Sequence, residues 1–361
     1  MSEYLDRYYR LKKYEIAGDF KAKSLPIEAN VYSDTYLFYS SRLAILQSNE
    51  LTKKVIDRYM LDIKLYYNKS YSNFLFFDEE TENLLEINEI KYKNIEYGNK
   101  IIDFIKKYIN SDFYVNIHLD EFFLKEKEVY CKRHFVHENL IYGYNDKESK
   151  FCAFGFGKKN KMVFFEIDYN EFLLAFEKGR IFYYFGADYL KLDNNYPLSI
   201  IKIKRDEKFE ISWEFFIKKL RKFWLPSKNE IVENDIHVYG INVYDWIIEE
   251  MIGKTNRVTV DYRMFHLLHE HKKNIMRVML LLNEKKKIDD NLFTEYERIL
   301  KEFNELRLFY LKEVQKQNGK IGFNNRITND TINKKIADKL IKAKNHEKIF
   351  LEIFFKNIKN I

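Results

Sequence analysis

The feature that most constrains the fold is a series of strand-like segments in the middle of the chain. From Phe113 to Leu119, apolar residues occupy every second position, which is the period of a strand with one buried face. A second strand is predicted over Phe135–Tyr144, where it ends at the turn Asn145-Asp146. Phe151–Phe156 and Met162–Ile167 predict a further pair, joined by a short polar run. Because short connections favour antiparallel pairing, this stretch predicts an antiparallel sheet.

Helical patterns flank these strands. The first long helix is predicted through about Gln47, with Ser33 and Asp34 as N-cap residues. A second helix is expected at about 51–66, and a short amphipathic helix at 101–109. Strands and helices that are segregated in this way predict an α+β fold, with a helix packed on an antiparallel sheet.

The C-terminal part has a different character. Three long amphipathic helices are predicted, one over Asp261–Lys285, one from Asp289, and one from Thr328–Asp330 to near the end. Long helices joined by short loops predict an antiparallel helical bundle. We therefore expect a mixed domain over residues 1–250 and a bundle over 251–361.

Composition narrows the cellular setting. The two cysteines, Cys131 and Cys152, cannot form a disulfide framework, which favours the reducing cytoplasm. The N-terminal sequence has no apolar core of a signal peptide, and no run of about 18 apolar residues predicts a membrane span. We therefore expect a cytoplasmic protein that does not bind a membrane.

The formal charge of +7 is modest for 361 residues, and basic and acidic residues are interspersed. Nucleic-acid binding is not expected, because no basic stripe interleaves with the aromatic residues. No cofactor is predicted, because the chain lacks a glycine-rich phosphate loop. Short basic clusters such as Lys285–Lys287 fit solvated helix faces or a patch that docks an acidic carrier protein.

The segment 130–146 is the most informative for function. His137 opens an apolar strand, and Gly143-Tyr144 follows six residues later, before a polar turn. His134 lacks this spacing. A strand can hold an imidazole rigidly against a thiol at the start of a facing helix, where the helix dipole favours the thiolate.

This pattern resembles the histidine strand of papain-like peptidases and of bacteriocin-processing peptidases. It is most similar to the butirosin biosynthesis protein H-like family of natural-product and nonribosomal peptide pathways. That resemblance rests on residues 130–137, on Leu140–Tyr144, and on the helical segment 260–272. It implies a papain-like domain that moves acyl groups from a carrier-protein thioester to an amine, with the substrate presented on a phosphopantetheine arm.

The chain departs from that pattern at two positions. The family's cysteine would stand near the start of the first helix, where this chain has Leu37 and Phe38; Ala29, just before the helix, is the other position where a cysteine could be replaced. The residue that orients the imidazole would fall at Ala153 or Phe154, and neither side chain can do so. The sequence therefore predicts a degenerate site that lacks the usual cysteine.

Other nucleophiles remain open beside His137. Cys131 lies six residues away on the approach to the same strand, a separation of about 20 Å if the chain is extended. Ser33, Ser40 and Ser41 surround the first helix, and a serine nucleophile is chemically feasible. Ser33 also fits the role of a helix cap.

A metal site at the histidines of the helical part is not predicted. His266, His269 and His271 surround Glu270, but they lack the spacing of a zinc-binding helix. We expect structural contacts there instead.

Three functions follow from this reading. The first is acyl transfer or amide-bond formation from a carrier-protein thioester. The second is a non-catalytic relative that binds a carrier protein or a partner subunit, which predicts that Leu37, Phe38 and Phe154 fill the space around His137. The third is a peptidase acting on a leader peptide. Association of two copies of this chain as a homodimer is a further hypothesis.

Overall fold

The structure is a computed structural model. It describes residues 21–56, 60–68, 73–77, 84–91, 94–95, 98–182, 198–204, 213–225, 229–232, 235–254, 260–319 and 327–358. The helices are α1 Leu37–Gln47, α2 Glu50–Ile56, α3 Lys100–Asn110, α4 Tyr169–Phe182, α5 Trp213–Trp224, α6 Asn242–Met251, α7 Tyr262–Glu284, α8 Asp290–Asn318 and α9 Asp330–Asn357. The strands are β1 Ala22–Ser24, β2 Ile63–Asn68, β3 Asn73–Phe77, β4 Leu85–Ile90, β5 Tyr114–Asp120, β6 Val136–Asn145, β7 Lys150–Phe156, β8 Met162–Asp168, β9 Leu198–Ile203, β10 Glu230–Val232 and β11 Asp235–Tyr239.

The chain forms two compact units. The first comprises residues 1–52 and 81–208, and the second comprises residues 53–80 and 209–361. Each unit draws on two separate segments, so neither coincides with the contiguous division at residue 250. The reason is strand pairing, because β2 and β3 form one sheet with β10 and β11.

The first unit is built on an antiparallel sheet with the strand order β4-β9-β5-β6-β7-β8, and β1 pairs with β6 at one end. The strands predicted from the alternating pattern are present as β5, β6, β7 and β8. The inward side chains of β5, such as Val115 and Ile117, are fully buried. Helix α1 packs on β6, β7 and β9, and α4 packs on β5.

Gly143 owes its place in the histidine strand to packing. It pairs with Ser24 of β1, and a Cβ atom at this position would lie 2.7 Å from the carbonyl oxygen of Lys23. Real Cβ atoms do not approach a carbonyl so closely, so β1 could not pair here beside a larger residue. The glycine six residues after His137 therefore has a structural reason that is independent of any chemistry at the histidine.

The second unit contains the four-stranded antiparallel sheet β10-β11-β2-β3 and the helices α5 to α9. Helix α8 packs against both α7 and α9, and α9 also contacts α6. The three long helices begin where the sequence predicts, because a side chain caps each one. Asp261, Asp289 and Asn329 accept backbone N–H groups of their first turns.

Several local expectations were wrong. The helix expected over 51–66 ends at Ile56, and a strand, β2, begins at Ile63. This strand forms because Leu65 and its neighbours pair with β3 on one side and with β11 on the other. Helix α1 begins at Leu37 without a side-chain cap, so Ser33 and Asp34 are not its N-cap residues. The sequence also predicts a β-hairpin that joins Ser199–Lys204 to Lys208–Ile211, and its second strand lies outside the described residues.

None of the helices within the described residues combines the length and the apolar character that are needed to cross a bilayer.

Gly240 lets β11 turn sharply into α6. Its φ is +58°, and a Cβ atom would overlap the carbonyl oxygen of Phe223. We expect Gly240→Ala to lower the free energy of unfolding by more than about 2 kcal/mol, because backbone strain and steric overlap add. Gly253 is the matched control, since its φ is +72° but nothing lies within 4 Å of a Cβ there. Gly253→Ala should cost only about 1 kcal/mol. Urea unfolding of both variants measures the difference, and equal losses would contradict the steric argument.

Candidate functional site

His137 and helix α1, which the sequence analysis expected to face each other, lie on opposite faces of β6. Adjacent strand residues project to opposite faces of a sheet. Glu138 lines a cleft together with residues of α1, so His137 projects from the other face. The contacts of His137 agree, because its Nδ1 lies 3.7 Å from Glu121, which does not line this cleft. Helix α1 therefore faces Glu138 and does not face His137.

The cleft between α1 and the sheet gathers polar side chains from four strands of the first unit. The register explains their proximity, because His118 of β5 stands directly opposite Glu138 of β6, and Asn116 stands opposite Ser199 of β9. The lining residues are Phe38, Ser41 and Arg42 from α1, Ile87 and Glu89 from β4, Asn116 and His118 from β5, Glu138 from β6, and Leu198, Ser199 and Ile201 from β9.

Ser41 is the nucleophile candidate in this cleft. It is 1% exposed, and its Oγ is buried without a hydrogen-bond partner among the described residues. Its neighbour Ser40 behaves as a helical serine usually does, since its hydroxyl donates to the carbonyl of Tyr36 at 3.0 Å. A buried hydroxyl without a partner is costly, so Ser41 is the exception that calls for a reason.

His118 and Glu138 bring an imidazole next to a carboxylate in the cleft. Nε2 of His118 lies 3.8 Å from Oε1 of Glu138, and both side chains are about one quarter exposed. The other carboxylate oxygen of Glu138 is buried and has no hydrogen-bond partner among the described residues. A carboxylate next to an imidazole can fix its tautomer and stabilise the imidazolium ion.

The cleft also holds polar groups that its own walls leave unsatisfied. The side-chain oxygen of Asn116 is buried and accepts no hydrogen bond from any described residue. Together with Ser41 and Glu138, it makes three such groups around one opening. Since buried polar groups in proteins are nearly always paired, a ligand or ordered water is the natural partner for them.

The surroundings of His137 form a second polar cluster on the other face of β6. The Lys127 ammonium is fully buried, lies 2.9 Å from Oε1 of Glu121 and donates to the carbonyl of Phe156 at 2.7 Å. Burial lowers the pKa of Lys127. Burial alone would raise the pKa of Glu121, but His137 and the Lys127 charge hold it below its usual value.

The residues that the sequence analysis places beside His137 neither orient its imidazole nor pack around it as expected. Ala153 and Phe154 are buried and apolar, as the sequence indicates, and the nearby carboxylate comes instead from Glu121. Phe154 pairs with Leu140, which shares the face of Glu138, so it does not pack on His137. The rings that stack on His137 are those of Phe135 and Phe156.

Of the two predicted histidines, His134 has the more closely hydrogen-bonded imidazole. Its Nδ1 lies 2.6 Å from Oδ2 of the fully buried Asp120, whose other oxygen accepts the backbone N–H groups of Phe122 and Phe135. The His134 ring also stacks on that of Phe122. This arrangement pins the loop that precedes β6, which gives His134 a structural role.

The other candidates of the sequence analysis lie apart from these clusters. Cys131 has a left-handed backbone with a φ of +53°, and its N–H donates to the carbonyl of Phe122. Ser33 is buried, and its carbonyl accepts the Ser40 hydroxyl. Leu37 is buried at the start of α1. Cys152 lies on β7, where burial raises the pKa of its thiol and so disfavours a nucleophilic thiolate.

The histidines of α7 point to separate partners. His271 is fully buried, and its Nε2 lies 2.8 Å from the carbonyl oxygen of Leu61. His266 contacts Arg307 and Glu270. Burial, with the charge of Arg307, lowers the pKa of His269 to about 3. Each imidazole is thus engaged in the packing of the second unit.

Sequence reasoning considered Ser41 but missed His118 and Glu138. The signal was present, because His118 is one of the polar residues that alternate with apolar ones along β5. What the sequence could not reveal is which face of the sheet α1 covers.

No protein-family model matches this chain, and no curated protein matches it.

Proposed function

We propose that the cleft beneath α1 is the site of an acyl-transfer reaction that takes its acyl group from a thioester. Ser41 is the nucleophile, His118 is the general base, and Glu138 orients and stabilises the imidazole. The observation that carries the proposal is the unpartnered, buried Ser41 hydroxyl in the same cleft as a histidine–carboxylate pair. These are the three roles that nucleophilic catalysis by serine requires.

The reaction is balanced without an oxidant or a metal ion. Ser41 Oγ forms a bond to the thioester carbonyl carbon, and its proton passes to the imidazole of His118. The C–S bond then breaks, and the sulfur leaves as a thiol with that proton. An amine attacks the resulting ester, the C–O bond breaks, and His118 transfers the amine proton back to Ser41. The products are an amide and the free thiol.

A carrier protein is the proposed source of the thioester. This part of the proposal rests on the resemblance to the butirosin biosynthesis protein H-like family, with its papain-like domain and helical bundle. A helix laid on an antiparallel sheet, with the nucleophile on the helix and the base on a strand, supports a papain-like architecture for the first unit. The packing of α7, α8 and α9 supports the bundle. The serine at position 41 would then replace the missing cysteine.

A non-catalytic relative that binds a carrier protein or a partner subunit is the second candidate. One observation favours it, since Leu37 and Phe38 occupy the start of α1, where the family's nucleophile would stand. Phe38 also lines the cleft. Such a protein would bind the carrier protein without forming any covalent intermediate.

The choice of base distinguishes this proposal from a dyad built on His137. We expect His118→Ala to lower the rate of thiol release from an acyl-pantetheine thioester by about 10²-fold to 10⁴-fold, because a positioned general base contributes that much. His137→Ala is the matched control on the opposite face of β6, and it should retain most of the activity. The release of thiol can be followed with a chromogenic disulfide. Loss of activity in the His137 variant alone would overturn the assignment of His118.

A further inference from the structure

The side chain of Asn116 lies beside the proposed base and has no role in the mechanism so far. Asn116 comes two residues before His118 on β5, so both side chains project to the same face of the sheet, and their Cα atoms are about 7 Å apart. Both residues line the cleft, which also contains Ser41 and has a volume of about 100 Å³. A small group bound in that space therefore lies near both side chains.

The unpartnered atoms of Asn116 and Glu138 indicate the kind of group that the cleft binds. Oδ1 of Asn116 is buried and accepts no hydrogen bond from any described residue, and the same is true of Oε2 of Glu138. A carboxamide oxygen and an ionised carboxylate oxygen can only accept hydrogen bonds. Since a buried acceptor without a donor is unfavourable, the ligand that completes this part of the cleft carries N–H or O–H groups.

The amine of the proposed reaction supplies such a donor. A primary amine attacks the ester on Ser41 with its lone pair, and one of its two N–H groups gives a proton to His118. The second N–H stays on the nitrogen and becomes a stronger donor while the nitrogen carries positive charge. Oδ1 of Asn116 is an acceptor next to the base. A secondary amine has only one N–H, which the base takes, so it would leave this oxygen without a partner.

We propose that Oδ1 of Asn116 accepts the second N–H of the attacking amine, and that this contact selects primary amines as acyl acceptors. The inference rests on the proposed function. The step concerned forms the C–N bond and breaks the C–O bond to Ser41, while the proton taken by His118 returns to the Ser41 oxygen. Asn116 thus acts in the choice between amines, after the thiol has already left.

Competition between two isomeric amines tests the inference. The full chain is given an acyl-pantetheine thioester with equal amounts of n-butylamine and N-methylpropylamine, and the two amides are separated by liquid chromatography. Because both amines attack the same acyl-enzyme, the product ratio reports their relative kcat/KM whatever the rate of acylation. We expect Asn116→Ala to lower the ratio of primary to secondary amide by about 10-fold, since one hydrogen bond to a charged nitrogen is lost. Asn116→Asp retains an acceptor oxygen and should keep the native preference.

Asn88→Ala is the control variant, since Asn88 is an exposed residue of β4 whose amide donates to Glu86. It should leave the product ratio unchanged. An unchanged ratio in Asn116→Ala, or an equal loss of preference in Asn116→Asp, would overturn the role of Asn116 and leave the proposed function standing, because amides are still formed. If the native chain releases no thiol and forms neither amide, the proposed function fails, and the role of Asn116 fails with it.

Discussion

Replacing Ser41 by alanine is expected to lower the rate of acyl transfer by about 10³-fold or more, because removal of a nucleophile leaves only binding and electrostatic contributions. The same change should have little effect on stability, since the Ser41 hydroxyl makes no hydrogen bond with any described residue. Thiol release from an acyl-pantetheine thioester measures the first effect, and urea unfolding measures the second.

Ser40→Ala provides the matched control on the same helix. Ser40 donates to the carbonyls of Ser33 and Tyr36, so its loss should cost about 1 kcal/mol of stability and leave the rate nearly unchanged. The two variants thus predict opposite patterns, with activity lost at one serine and stability lost at the other. Unchanged activity in Ser41→Ala would exclude it as the nucleophile.

Replacing Lys272 by methionine is expected to lower the free energy of unfolding by about 3–5 kcal/mol, because it would leave Glu347 as a buried and unpaired carboxylate. Both side chains are fully buried in the second unit, and the Lys272 ammonium lies 2.5 Å from Oε1 of Glu347. Tyr244 donates its hydroxyl to the other oxygen at 2.8 Å. Burial lowers the pKa of Lys272 to about 8, because removal from water disfavours the charged form.

The double variant Lys272→Met with Glu347→Leu is the control for this prediction. It removes both charges, so most of the lost stability should return. The unpaired hydroxyl of Tyr244 would retain a cost of about 1–3 kcal/mol. Denaturant unfolding of the native chain, the single variant and the double variant gives the coupling energy of the pair. A double variant that is less stable than the single variant would contradict this account.

Much of the fold follows from local signals in the sequence. The caps at Asp261, Asp289 and Asn329 lie a few residues from the groups that they satisfy, so the long helices were predicted at their observed starts. The alternation around Val115 and Ile117 likewise placed β5. In contrast, β2 was taken for a helix, because the burial of Leu65 depends on strands that lie far away in the sequence.

The site was harder to predict for the same physical reason. The spacing from His137 to Gly143 suggested a catalytic histidine, whereas the contact between Gly143 and β1 explains the glycine by packing alone. The partner of His137 is Glu121, and Lys127 completes that cluster only after the chain turns back. Which histidine faces α1 depends on the side of the sheet that the helix covers, and no local pattern encodes that side.

The most direct test of the central claim is to locate an acyl adduct by peptide mapping. The native chain is incubated with a carrier-bound acyl thioester in the absence of an amine acceptor, digested and examined by mass spectrometry. The account predicts an added acyl mass on the peptide that contains Ser41, which is lost in both Ser41→Ala and His118→Ala. An adduct on Cys131, or stable binding of the carrier protein without any adduct, would contradict it.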